Sequence, residues 1–135
     1  MMRTEQMLSQ KEFVMPTKVI SGIGVAKNVG EEVKQLGVTK AMIVTDKDIY
    51  NAGITQPMEK SRKEAGIAVH VLNEIQGEPD TELVALGSKA FLENKCDGLV
   101  AIGGGSSMDT AKAVGVEVVH GEPVLNFEAS DNGKP

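Results

Sequence analysis

The chain has 135 residues, 41% hydrophobic and 24% charged, which fits one compact domain or a piece of something larger and leaves no room for two enzymatic domains. Fourteen basic and nineteen acidic residues give a net charge of −5 with no long run of either sign, which excludes an electrostatic grip on nucleic acid or on an anionic membrane. With three Phe, one Tyr and no Trp, the core has to be built from Val, Ile, Leu, Ala and Met, and a stacking platform for single-stranded nucleic acid is missing.

Residues 1–15 mix Arg3, Glu5, Lys11 and Glu12 with their apolar residues, so neither an export signal nor a membrane span is expected there. Residues 17–21 read as a short strand leading into the turn Gly22-Ile-Gly24. A helix follows, with Val25, Val29, Val33 and Leu36 on one face and Gly37 at its C-terminal cap. Residues 40–45 form a buried strand that Asp46 ends. Pro57 suits the first turn of a second helix, which runs to Ala65 and stops at Gly66. Residues 67–72 are the next strand, and a polar loop from Asn73 to Asp80 leads to a third helix. Asp80 is its N-cap, and Leu83, Leu86, Ala90 and Phe91 share its apolar face. Asp97-Gly98 turns the chain into the strand 99–102, which meets Gly103-Gly-Gly105 and a helix from about Ser106 to Val119.

Apolar strands alternating with amphipathic helices specify an α/β fold in which a parallel sheet is covered by helices on both faces. Three such strands are fewer than the five or six of a doubly wound sheet, so the sheet is expected to be incomplete at its C-terminal end. An unpartnered sheet edge invites self-association, and a homo-oligomer is expected.

Glycines between a buried strand and a helix let a ligand approach the backbone, and the free amides at the helix start form a phosphate cradle. The same run also serves as a tight strand-to-helix turn with no ligand. Ser106 and Asp109 have the spacing of a capping box, and Asp109 stands equally as a group for amides or for a ligand hydroxyl. Asp46 stands where doubly wound folds place the acid that binds an adenosine ribose, or it caps the short turn that follows. In the ribose role it would repel a 2′-phosphate and favour NAD over NADP.

Other patterns fail. Lys27 occupies the third glycine position of a dinucleotide fingerprint begun at Gly22, and the run from Gly103 to Lys112 lacks a Walker ending. His70 and His120 lack metal-pair spacing and read as structural residues. Cys96, the single cysteine, reads as a buried thiol and fits a reducing, cytoplasmic setting.

The run from Asp97 to Lys112 resembles the Gly-Gly-Gly-Ser-x-x-Asp-x-x-Lys motif of the iron-containing (group III) alcohol dehydrogenases. The segments Phe13 to Gly24 and Ala41 to Asp46 are similar to that family's opening strand, glycine turn and second segment, and residues 13–135 follow it in order. The resemblance implies a Rossmann-like N-terminal domain binding NAD(P), here residues 1–135. It places Gly104, Gly105 and Ser106 on the pyrophosphate, Asp46 on the adenosine ribose and Asp109 beside the cofactor loop. Lys112 would stabilise its helix. It assigns no catalytic residue and no metal ligand to this chain, because the Fe2+ or Zn2+ of the complete enzyme would sit in a helical C-terminal domain after Pro135. The complete enzyme would interconvert an alcohol and an aldehyde or ketone, while the chain alone is expected to be inactive. Glu78 departs from the family's Asn-Pro pattern, so a cofactor contact there is not expected. Ser106 argues against the related polyol dehydrogenases and sugar-phosphate lyase-like synthases. The alternative reading is a non-catalytic, stand-alone nucleotide-binding or assembly module from a truncated gene.

Overall fold

The computed structural model describes residues 12–127. The leader 1–11 lies outside the described residues. A 3-10 turn, Val25–Asn28, runs into helix α1, Val29–Gln35. Strand β1, Lys40–Asp46, is followed by the short helix α2, Lys47–Asn51, and by α3, Gln56–Glu64. Then come β2, Ala68–Ile75; α4, Thr81–Glu93; β3, Gly98–Ile102; α5, Gly105–His120; and a 3-10 turn, Val124–Phe127.

The three strands are parallel in the order β2-β1-β3. Met42 pairs with His70 on one side and with Leu99 on the other. Side chains alternate across the pleat, so β1 feeds two cores. Met42 and Val44 join Leu72, Val84, Phe91 and Val114 beneath α4 and α5. Ala41 and Ile43 face the opposite way, toward Val29 and Val33 of α1 and Met58 of α3. The central strand is therefore buried throughout its length, from Ala41 to Thr45. The α/β class and the helices on both faces stand as the sequence predicts.

Four local differences have physical causes. Residues 17–21 form no strand, and Val19 is 68% exposed, because no described strand lies alongside to share its hydrogen bonds. Leu36 is exposed at the helix cap, since Gly37, at φ +80, ends the helix before Leu36 can turn inward. Strand β2 continues past Leu72 to Ile75, which is 1% exposed, so part of the expected polar loop is sheet. A register irregularity after Val44 brings Asp46 opposite Ile75. In α4 the buried face runs through Val84, Gly87, Ser88 and Phe91, leaving Leu86 exposed. The cause is close helix packing: a Cβ on Gly87 would sit 2.7 Å from Val114 Cγ2.

At the foot of the sheet, Asp97 fastens β1 to the chain entering β3. Its carboxylate accepts hydrogen bonds from Thr39 Oγ1 at 2.6 Å and from the backbone N–H groups of Lys40 and Thr39 at 2.8 and 3.0 Å. The hydroxyl of Thr39, then these amides, hold the Asp97 carboxyl below its ordinary pKa.

Candidate dinucleotide site

The order β2-β1-β3 makes the chain leave β1 toward one side and later return to its other side, which opens a crevice at the carboxyl ends of β1 and β3. Thr45 pairs with Ile102, so Asp46 and Gly103 are the next residues on adjacent strands. Sequence positions 57 apart thus meet at one rim.

Gly103 adopts φ +142, and a Cβ there would lie 2.7 Å from Ser107 Oγ and 3.2 Å from Ile49 Cδ1. Gly104 and Gly105 differ: nothing lies within 4 Å of a Cβ built on either, so their backbone faces open space. Gly104 is the N-cap of α5 and supplies no side-chain cap, which leaves the first amides of a 16-residue helix free for a ligand. Ser107 is 1% exposed, and its hydroxyl has no hydrogen-bond partner. An open glycine backbone, free amides and an orphaned buried hydroxyl at one turn are the features an anionic group would satisfy.

A cleft of about 570 Å³ adjoins this turn. Residues 46–49 form one wall, residues 75–77 another, and Ser106 closes the end beside the glycines. Asp46 Oδ1 accepts the backbone N–H of Ile49 at 2.7 Å and caps α2. Oδ2 has no hydrogen-bond partner among the described residues, so the capping role leaves one oxygen for a ligand. The structure thus brings Asp46, Gly104, Gly105 and Ser106 together.

Asp109 stands apart from this set. The helix begins at Gly105, one residue before Ser106, so the expected capping box does not form. Asp109 instead meets Lys112 at 3.7 Å one turn on, with both side chains largely exposed, in the manner of a solvated helix pair. Lys112 thus makes the helix contact expected of it.

Glu78 lines a neighbouring depression with Glu74 and Asp80 rather than the cleft itself. His70 lies within β2, His120 packs its ring 4.8 Å from that of Phe127, and burial pushes the Cys96 thiol above its ordinary pKa. Among the described residues no group of three or more His, Cys, Asp or Glu could hold a metal ion. Nor is any described helix long and apolar enough to cross a membrane.

Sequence reasoning passed over Gln76 and Ser107. Ending β2 at Leu72 hid Gln76 in a supposed loop, whereas the alternation through Ile75 would have carried the strand to the cleft. Ser107 looked like one more polar residue of the first turn, and nothing in its type announces its burial.

The family model described as iron-containing alcohol dehydrogenase matches residues 16–135. The chain belongs to the iron-containing alcohol dehydrogenase family. It is 50% identical over 134 residues to a choline dehydrogenase of Bacillus subtilis, matching 99% of this chain and 33% of that protein. It is 40% identical to an NAD-dependent methanol dehydrogenase of Bacillus methanolicus, over 86% of this chain and 30% of that one. Among solved structures, the NADH-dependent butanol dehydrogenase A of Thermotoga maritima superposes with a TM-score of 0.83 at 25% identity, covering 88% of this chain and 30% of that one. The chain spans about a third of the length of the curated relatives it matches. The family's glycine motif therefore lies at the turn from β3 into α5, beside the carboxyl end of β1.

Proposed function

We propose that the chain, residues 1–135, is the NAD(P)-binding N-terminal portion of an iron-type alcohol dehydrogenase. The observation that carries the reading is the juxtaposition of open glycines and uncapped α5 amides with the free oxygen of Asp46 across one strand pair. The backbone at Gly104 and Gly105, with Ser106, binds the pyrophosphate. Here the helix terminus offers an effective charge of about +0.5. Asp46 accepts the ribose hydroxyls and disfavours a 2′-phosphate, which makes NAD the preferred cofactor over NADP. Asp109, paired with Lys112 on the exposed face of α5, is given no direct contact with the cofactor in this reading.

Bound NAD(P) supplies the hydride acceptor for oxidation of an alcohol to an aldehyde or ketone. The chain's own residues bind and orient it. In this reading no metal ligand and no catalytic residue is assigned to this chain; a divalent metal, Fe2+ or Zn2+, in the complete enzyme would supply Lewis-acid activation of the substrate oxygen. The substrate is a small alcohol, and the 50% identity to a choline dehydrogenase makes choline the first to test. Self-association into a homo-oligomer and a cytoplasmic location belong to the same reading, supported by the exposed apolar residues Phe13 and Val19 and by the free thiol of Cys96.

Titration of NADH against the purified chain tests the proposal, with saturable fluorescence enhancement expected. No binding at millimolar NADH overturns it. The stand-alone module, in which this chain is itself the whole product, also predicts NADH binding; a coding sequence that stays open beyond Pro135 overturns it.

A further inference from the structure

Across the sheet the strand tips come in the order β3, β1, β2, and the polar groups above them follow the same order. Free α5 amides stand over β3, Asp46 over β1, and Gln76 immediately after β2. In an adenine dinucleotide the ribose lies between the phosphates and the base. A ligand with its phosphates at Gly104 and its ribose at Asp46 therefore carries its adenine onward to the tip of β2.

Gln76 lines the cleft there, is exposed, and makes no hydrogen bond among the described residues. Its carboxamide presents a donor and an acceptor side by side. Adenine presents the matching pair, an amino group beside a ring nitrogen, and a Gln side chain binds that pair in a bidentate manner. The ionisable cleft residues Asp46, Lys47 and Asp48 offer either acceptors or donors at neutral pH, but not the adjoining pair. Ile49, half-buried, adds apolar surface to the cleft.

We propose that Gln76 is the adenine-recognising residue of this site, its amide pairing with the exocyclic amine and the adjoining ring nitrogen of the base. The inference rests on the cofactor reading above. It is tested by titrating the full chain with NADH and with its 1,N6-etheno derivative, in which the exocyclic amine is tied into a ring with N1 and can no longer donate. Wild type binds NADH more tightly than the etheno form. Gln76→Ala weakens NADH about five- to tenfold, the loss of one or two modest hydrogen bonds, and binds the two dinucleotides alike. Gln76→Glu, an acceptor with no donor, weakens NADH at neutral pH although its size is kept.

Unchanged NADH affinity in Gln76→Ala overturns the inference, as does a parallel loss for both dinucleotides. In either case the cofactor reading stands, because wild type still binds NADH. Wild type that binds no NADH overturns both.

Discussion

Three consecutive glycines answer two different needs. Gly103 is required by the fold: its φ of +142 and the 2.7 Å approach of Ser107 Oγ leave no room for a methyl group. Gly103→Ala is expected to cost about 1–3 kcal/mol of stability, read by urea denaturation. Gly104, in the proposed site, serves the ligand instead. Its φ of −90 suits any L-residue and its Cβ would meet nothing, so Gly104→Ala should keep the unfolding midpoint while weakening NADH by crowding the pyrophosphate. Loss of stability in Gly104→Ala, or unchanged NADH affinity, would contradict this division. Gly105 shares the open environment of Gly104. Asp46 combines both roles in one carboxylate, so Asp46→Ala should lose NADH affinity together with about 0.5–2 kcal/mol of cap energy.

Helix α1 packs on α3 through Gly30, whose backbone N–H donates to Ser61 Oγ at 3.0 Å. A Cβ there would fall far inside contact distance of the Ser61 backbone. Intrinsic propensity favours Ala over Gly in a helix by about 1 kcal/mol, whereas overpacking against backbone costs about 1–3 kcal/mol, so Gly30→Ala should destabilise by thermal melting. A raised melting temperature would show that the helices part freely. The elements that could be read from sequence are those whose signals are local: Asp80 caps α4 by accepting Leu83 N–H at 2.7 Å, and Gly66 ends α3's turn at φ +78. The site's glycines and Asp46 were legible for the same reason, since a strand end and a helix start mark them. What escaped depends on partners distant in sequence. Residues 17–21 have strand composition without a neighbouring described strand, Gly87 is buried because Val114 approaches it, and Ser88 donates to Glu117 Oε2 at 2.7 Å, contacts that no periodicity of α4 records.

At the scale of the molecule, the sheet is held from two ends with different chemistry. The cleft, where the proposed cofactor would bind, lies at one end, and the opposite end is fastened by Asp97. Because the folded-state pKa of Asp97 lies below the unfolded value of about 3.9, its stabilisation is fully present above the unfolded value and is lost as pH falls from there through the folded-state pKa. Asp97→Asn should therefore flatten the acid side of the stability–pH profile while changing little in its shape near neutrality. An unchanged acid limb would place the dependence in another carboxylate. Cys96 adjoins this fastening at the end of the sheet remote from the cleft, 8% exposed and with a thiol made less acidic by burial. A disulfide-forming reagent reaches it when the domain opens, so its labelling half-time is a clock for opening. A ligand at the other end slows that clock without touching it. At a hundred times its dissociation constant, a ligand specific to the folded state adds about 2.7 kcal/mol, which in the global-opening limit retards labelling about a hundredfold. One native sulfur thus reports cofactor occupancy from the far end of the sheet, with no probe introduced.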